Sequence, residues 1–314
     1  MKKFTKISLI ITAVLVIMGL GFIIAGSVTA GGVAVLREQL RSGDLNFGNW
    51  HFEDGVYYKG GVEVDVTDVV SDAMNLLPVG TEASKNEFTE NIANLNVDVD
   101  LANITIKNTD ATYAKVSLEE GYRKYYEAKV DGDTLYVNYD VAGHNFKQGP
   151  KIVIELPKEM QLETIYIDTD LGEVKLLEIK QPVGGLEINS DLGNIHVEGC
   201  EVSGNAIMTA ALGNITIDDS EFKRIDLSAG MGNIEFAGKV EGDITAQADM
   251  GNIEVELDGK ESDYNIELRA DMGDMKYKGQ KQSGMGGSFT YYQEEAIGDI
   301  VLNCDMGNVE LEFN

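Results

Sequence analysis

The chain has 314 residues, long enough for one or two domains with a substantial core. Its 53 acidic side chains outnumber 25 basic ones, for a net charge of −28. That balance excludes nucleic acid as a partner, because phosphate binding needs a basic stripe; it suits a solvated surface or the attraction of cations and cationic peptides. The 35 glycines against 4 prolines, with 43% hydrophobic residues, indicate many tight turns between short strands rather than disorder.

Residues 1–6 form a basic tail with Lys2, Lys3 and Lys6. The apolar run over 7–30 is long enough to cross a bilayer as a helix, which needs ~20 residues. Positive charge before it holds the tail in the cytoplasm and sends the remainder outside. The competing reading is a secretory signal ending at Val28-Thr29-Ala30, but signal cores are usually ~7–15 apolar residues. The expected arrangement is therefore a single-pass membrane protein with an extracytoplasmic C-terminal part.

Residues 31–87 mix charge, glycine and short apolar runs and read as a juxtamembrane stalk or a small packed subdomain. Phe47, Trp50, Phe52, Tyr57 and Tyr58 are suited to a membrane interface. Over 88–160 alternation is strong but spacing irregular. Val130 to Val137 reads as a hairpin around Asp131-Gly132, and Lys151–Pro157 as a strand stopped by proline. The region is expected to cap an open sheet edge.

Residues 161–314 carry a repeat, Asp-(Leu/Met)-Gly-(Asn/Asp/Glu)-(Ile/Val/Met). Its glycines are Gly172, Gly193, Gly213, Gly232, Gly251, Gly273 and Gly307, spaced by 21, 20, 19, 19, 22 and 34 residues. Asp100 to Ile104 is a degenerate copy with Ala102 in the glycine column. Aligned on the glycine, positions +2 and +4 are apolar (Val174 and Leu176, Ile195 and Val197) with polar residues between. Positions −5 and −7 are apolar as well, and −3 is always small: Thr169, Ser190, Ala210, Ala229, Ala248, Ala270, Cys304. Period-two alternation on both sides of a sharp bend means two strands per unit. One unit cannot bury its apolar face alone, but stacked copies can. The expected fold is all-β: a parallel β-solenoid of ~20-residue coils with an N-terminal β cap. The glycine is expected to supply positive φ, and Asn194, Asn214, Asn233 and Asn252 to form a hydrogen-bonded ladder. The polar stretch 279–295, with Tyr291 and Tyr292, reads as a loop ejected from the final coil and a candidate binding element.

Asp249, Asp271 and Asp305, with Asp170 and Asp191, form a broken column at position −2. They either cap the bend or hold a hard cation such as Ca²⁺. Apart from that cation, the residues imply no metal site and no cofactor. Cys200 and Cys304 fall five layers apart if layers follow chain order, too far for a disulfide. His51, His144 and His196 are scattered, no nucleophile motif occurs, and Arg269 is the lone arginine beside the aspartate column, so no catalytic residue is assigned.

The run Ile152 to Leu156 with Pro157-Lys158, then Leu162 to Ile167, then the Asp-Leu-Gly and Asp-Met-Gly series, resembles the bacterial putative-adhesin family, a β-strand-repeat envelope domain of unknown function. The resemblance covers residue 91 to the C-terminus. It implies an exported or singly anchored domain, often linked to envelope-stress signalling; one relative is a surface protein of an antimicrobial-peptide response system in Gram-positive cocci. The expected function is a non-catalytic binding or sensing module of the cell envelope, with an envelope regulatory protein or a cationic peptide as partner. A structural or adhesive surface role is the alternative, and a polysaccharide-active β-helix the less favoured one.

Overall fold

The computed structural model describes residues 50–53, 56–59, 62–64, 84–119, 125–141 and 149–314, with side chains from residue 86 onward except 120–124, 142–148 and 283–285. The expected tail and membrane span lie outside the described residues, as does Phe47. The chain divides into two units, Met1–Pro78 and Val79–Asn314. In the first, β1 (Trp50–Glu53), β2 (Val56–Lys59) and β3 (Val62–Val64) form an antiparallel meander, pairing Phe52 with Tyr57 and His51 with Tyr58. These strands fall within the stretch read as a stalk.

In the second unit the leading strands are β4 (Ser84–Phe88), β5 (Asn94–Leu101), β6 (Asn103–Thr109), β7 (Ala114–Glu119), β8 (Tyr126–Asp131), β9 (Thr134–Tyr139) and β10 (Lys151–Pro157). The repeats follow as β11 (Leu162–Leu171), β12 (Val174–Leu177), β13 (Val183–Leu192), β14 (Ile195–Glu198), β15 (Glu201–Leu212), β16 (Ile215–Met231), β17 (Ile234–Val240), β18 (Ile244–Met250) and β19 (Ile253–Leu257). The last are β20 (Tyr264–Tyr277), β21 (Gln280–Tyr291), β22 (Gly298–Met306) and β23 (Val309–Phe313).

The repeats stack in parallel as a β-solenoid. The segments before the glycine pair upward as one wall and those after it as a second, so Ile165 lies over Leu186, then Ala206, Ile225 and Ile244. On the second wall Val174, Ile195, Ile215, Ile234 and Ile253 make the matching column. Every one of these side chains is buried. Burying such an aliphatic side chain is worth ~1.5–3 kcal/mol, which is why a coil with few internal contacts is stable only in a stack. A short third segment closes each coil through Val183, Val202, Phe222 and Val240. The degenerate copy is a true layer: β5 pairs β11 and β6 pairs β12, both parallel.

Both ends close with antiparallel strands, which blunt the open edge of a parallel stack. At the N-terminal end the β8–β9 hairpin turns at Gly132-Asp133, with β9 parallel to β5. On the other wall β10 runs parallel to β6 and is followed by antiparallel β7 and β4.

The C-terminal end departs from the sequence reading. Residues 280–291 are not an ejected loop: they are β21, paired antiparallel with β20 through a two-residue turn at Lys278-Gly279. Both turn residues have positive φ, 52° and 68°, the geometry whose twist matches a hairpin. Layers also do not follow chain order. The last coil, β22–β23, inserts between the Gly251 layer and the Gly273 layer, pairing parallel with β18 and β19 on one side and with β20 on the other. Repeats that share one set of columns offer equivalent neighbours, so chain order alone does not determine stacking order. Cys200 and Cys304 are consequently four layers apart rather than five, ~19 Å at ~4.8 Å per layer. Both thiols are free and buried.

Candidate functional site: the bend edge

At the bend, a Cβ added to any of the seven repeat glycines would lie 1.7–1.9 Å from a backbone carbonyl oxygen of the adjoining layer. Gly172 faces Ala102 O, Gly193 faces Gly172 O, and the series continues until Gly273 faces Gly307 O. This close approach, and not positive φ alone, is what the column requires: Gly172 and Gly307 have φ of 143° and 147°, but Gly193, Gly232 and Gly273 are not in the left-handed range. Ala102 keeps its methyl because it begins the column, with Pro150 at the equivalent place below it by the β6–β10 register. The small −3 column has the same origin. Ser190 Oγ and Cys304 Sγ lie 3.1 and 3.2 Å from where the glycine methyls would be.

Beside the glycines runs an asparagine ladder. Asn194 Oδ1 accepts from the Asn214 N–H at 2.9 Å, Asn214 Oδ1 from Asn233 N–H at 2.8 Å, and Asn233 Oδ1 from Asn252 N–H at 2.9 Å. Asn252 Oδ1 then accepts from Asn308 N–H, and Asn308 Oδ1 from Asp274 N–H, so the ladder follows spatial and not chain order.

The residue before each glycine is the one sequence reasoning missed. Strict alternation from −7, −5 and −3 would turn −1 inward. The bend breaks the alternation, and the column is exposed: Leu171 43%, Leu192 44%, Leu212 38%, Met231 48%, Met250 41%, Met306 42% and Met272 50%. These lie in consecutive layers by direct pairing. Partly buried Leu101 extends the line at the N-terminal end. Their backbone is locked, since each glycine N–H donates at 2.9–3.1 Å to the carbonyl of the ridge residue in the next layer, from Leu192 to Met272. Single exposed apolar side chains are ordinary on a protein surface, but a contiguous line of seven is not. The signal available in the sequence was the constancy of Leu or Met at a position that need not be buried.

Acid flanks this ridge. Asp170, Asp191, Asp249, Asp305 and Asp271 stand in the −2 column in layer order, broken by Ala211 and Gly230. Arg269 grips Asp271 with Nε and Nη2 at 2.7 and 2.9 Å, both bonds within one layer. Beyond the Asn column the second wall presents Glu235, Glu254 and Glu310, the last bonded to Lys276, which also reaches Glu312 at 2.8 Å. Burial, then Glu310, Glu235 and Glu256, push the Glu254 carboxyl up. Burial and neighbouring aspartates do the same to Asp98 and Asp170.

A carboxylate whose folded pKa is raised opposes folding above that pKa, and the opposition is relieved as pH falls through it. Asp170→Asn is therefore expected to raise Tm at pH 7. The gain should shrink as pH drops and vanish below ~3.9, where the free carboxyl is itself protonated. Thermal melts of both proteins between pH 7 and pH 3.5 check this, and an unchanged or lowered Tm at pH 7 would contradict it.

Tyr291 is half-buried and paired with Ile266, five residues along β20 from Asp271, or ~17 Å. Tyr292 is 70% exposed just beyond it. The structure thus brings Asp249, Asp305 and Asp271 together but leaves the tyrosines apart from them. Among the described residues no group of three or more His, Cys, Asp or Glu is arranged to hold a metal ion. An open depression of about 330 Å³ lies on the second wall, between Lys175, His196 and Thr216.

Fold and edge together define an acidic parallel β-solenoid with an exposed apolar ridge among its described residues. The chain belongs to the Toastrack DUF4097 family, which matches residues 92–312. Similar solved structures include a putative adhesin from Bacteroides fragilis, at 16% identity over 74% of this chain and 98% of that one, with a TM-score of 0.48. Another is a protein from Parabacteroides distasonis described as a putative lipid binding protein, at 16% identity over the same shares, with a TM-score of 0.41. No curated protein matches the chain.

Proposed function

We propose that the protein is a non-catalytic binding module of the bacterial envelope, anchored by residues 7–30 and held outside the membrane, whose binding face is the bend edge. The observation that carries this reading is the exposed seven-residue ridge. A line of leucine and methionine left 38–50% exposed works against solubility. The open depression on the second wall, among the described residues, suits recognition of a partner surface. The apolar segment at 7–30 with its preceding lysines supports export, and the family resemblance supports a role in reporting envelope stress to a regulator.

The test uses the full chain carrying Met231→Cys, expressed in intact cells and treated with a membrane-impermeant maleimide. The native thiols are poor competitors: both are buried, and burial pushes Cys200 up to about 11 and raises Cys304. Labelling without lysis is expected. Labelling only after lysis would overturn the extracytoplasmic placement.

A further inference from the structure

Resting on that reading, we infer that the occupant of the ridge is a cationic amphipathic helix lying along it. The geometry points to a linear partner. Seven side chains spaced ~4.8 Å make a line ~29 Å long and one residue wide, with aspartates along one side in five of the seven layers and glutamates on the other in three, where Lys175, His196, Thr216 and Lys276 take that position in the rest. An α-helix advances ~5.4 Å per turn and presents one apolar stripe, so ~19 residues would run the full length with about one apolar side chain per layer. Basic residues beside that stripe would face Asp170, Asp191, Asp249 and Asp305 on one side, and Glu235, Glu254 and Glu310 on the other. The four methionines at one end suit apolar partners of varied shape, because the thioether chain adapts.

Other occupants fit worse. An added β-strand needs free backbone groups, and the ridge carbonyls from Leu192 to Met272 already accept from the next layer's glycine. A second copy packed ridge to ridge would bring two aspartate columns together. An anionic bilayer would meet the same acid on a chain of net charge −28.

The experiment places the full chain in nanodiscs of neutral phosphatidylcholine. Its probe is a synthetic 19-residue lysine–leucine peptide, helical and amphipathic, followed by fluorescence anisotropy. A scrambled peptide of the same composition and a glutamate–leucine counterpart are the controls. The ordered lysine–leucine peptide is expected to bind at least roughly tenfold tighter than either control. Converting Leu192, Leu212, Met231 and Met250 together to serine should weaken it by roughly tenfold or more. These side chains are exposed, and an unchanged circular dichroism spectrum and Tm would exclude misfolding. Asp170→Asn with Asp191→Asn, Asp249→Asn and Asp305→Asn should weaken binding at low salt and flatten its salt dependence. Equal binding of ordered and scrambled peptides, or undiminished binding by the serine variant, would overturn the helix. So would ridge-dependent binding to phosphatidylglycerol vesicles in place of peptide, or ridge-dependent dimers in sedimentation. Failure of the peptide while Met231→Cys is still labelled from outside, and more slowly than in purified protein, would leave the binding module standing with a different occupant.

Discussion

Removing residues 298–314 is expected to lower Tm by more than ~10 °C, although the deletion touches only the chain's end. The reason is where that end lies. β22–β23 forms an interior layer, and Ile300, Leu302, Val309 and Leu311 are each 0% exposed within it. At ~1.5–3 kcal/mol each, the four represent ~6–12 kcal/mol of burial, comparable to the ~5–15 kcal/mol net stability of a whole domain. Their loss opens the β18–β19 edge and leaves the β20–β21 hairpin without its parallel neighbour. Tyr264 would also lose Phe313, whose ring centroid lies 6.2 Å from its own. A synthetic peptide of residues 298–314 added in trans should restore the melting transition, because the slot has a partner strand on each side. A deletion variant that keeps its Tm and ignores the peptide would mean that the hairpin docks directly on the Gly251 layer, and the inserted coil would then be dispensable.

The second large effect is expected at the glycine column. In Gly232→Ala the new methyl would sit 1.8 Å from Gly213 O, a backbone atom with no rotamer to yield. Relief requires the layers to part. That would disturb the Gly213 N–H to Met231 O bond of 3.1 Å and the neighbouring Asn233 N–H to Asn214 Oδ1 bond. Overpacking of this kind costs ~3 kcal/mol or more when backbone must move. For a unit of this size that corresponds to a Tm drop of ~6–12 °C. Gly185→Ala is the control: its nearest backbone atom would be 3.8 Å away, an ordinary contact, and its Tm should be nearly unchanged. Equal effects of the two substitutions would show that the close approach is not what holds glycine in the column.

Much of this architecture was legible because a solenoid writes its core as columns. Val174, Ile195, Ile215, Ile234 and Ile253 must be apolar for one reason, contact with the copy above and below, so aligning the copies on glycine exposes the wall. The β8–β9 hairpin and the Lys151–Pro157 strand followed from local turn and proline chemistry. The Lys278-Gly279 turn was less legible. Lysine is a weak predictor of positive φ, and the glycine-rich strand after it reads as loop by composition alone.

The candidate site was the least legible part. Alternation assigns each residue a side only while a strand stays regular. At the bend, where glycine's missing side chain lets the backbone approach the carbonyl of the adjoining layer, the alternation breaks and the seven residues before the glycines come out of the core instead of into it. Composition places Tyr291 and Tyr292 on an ejected loop, but Tyr291 is held on an edge strand.

By itself, the sequence determined the length of a coil, which faces are apolar, where glycine and asparagine must recur, and that such units are stable only when stacked. The tertiary structure alone decided which copy stacks on which, and which apolar column stays exposed. Local pattern encodes what each layer offers its neighbours, and near-identical layers offer nearly the same thing. The choice among them passes to turns, connector lengths and strand ends, whose consequences exist only in three dimensions.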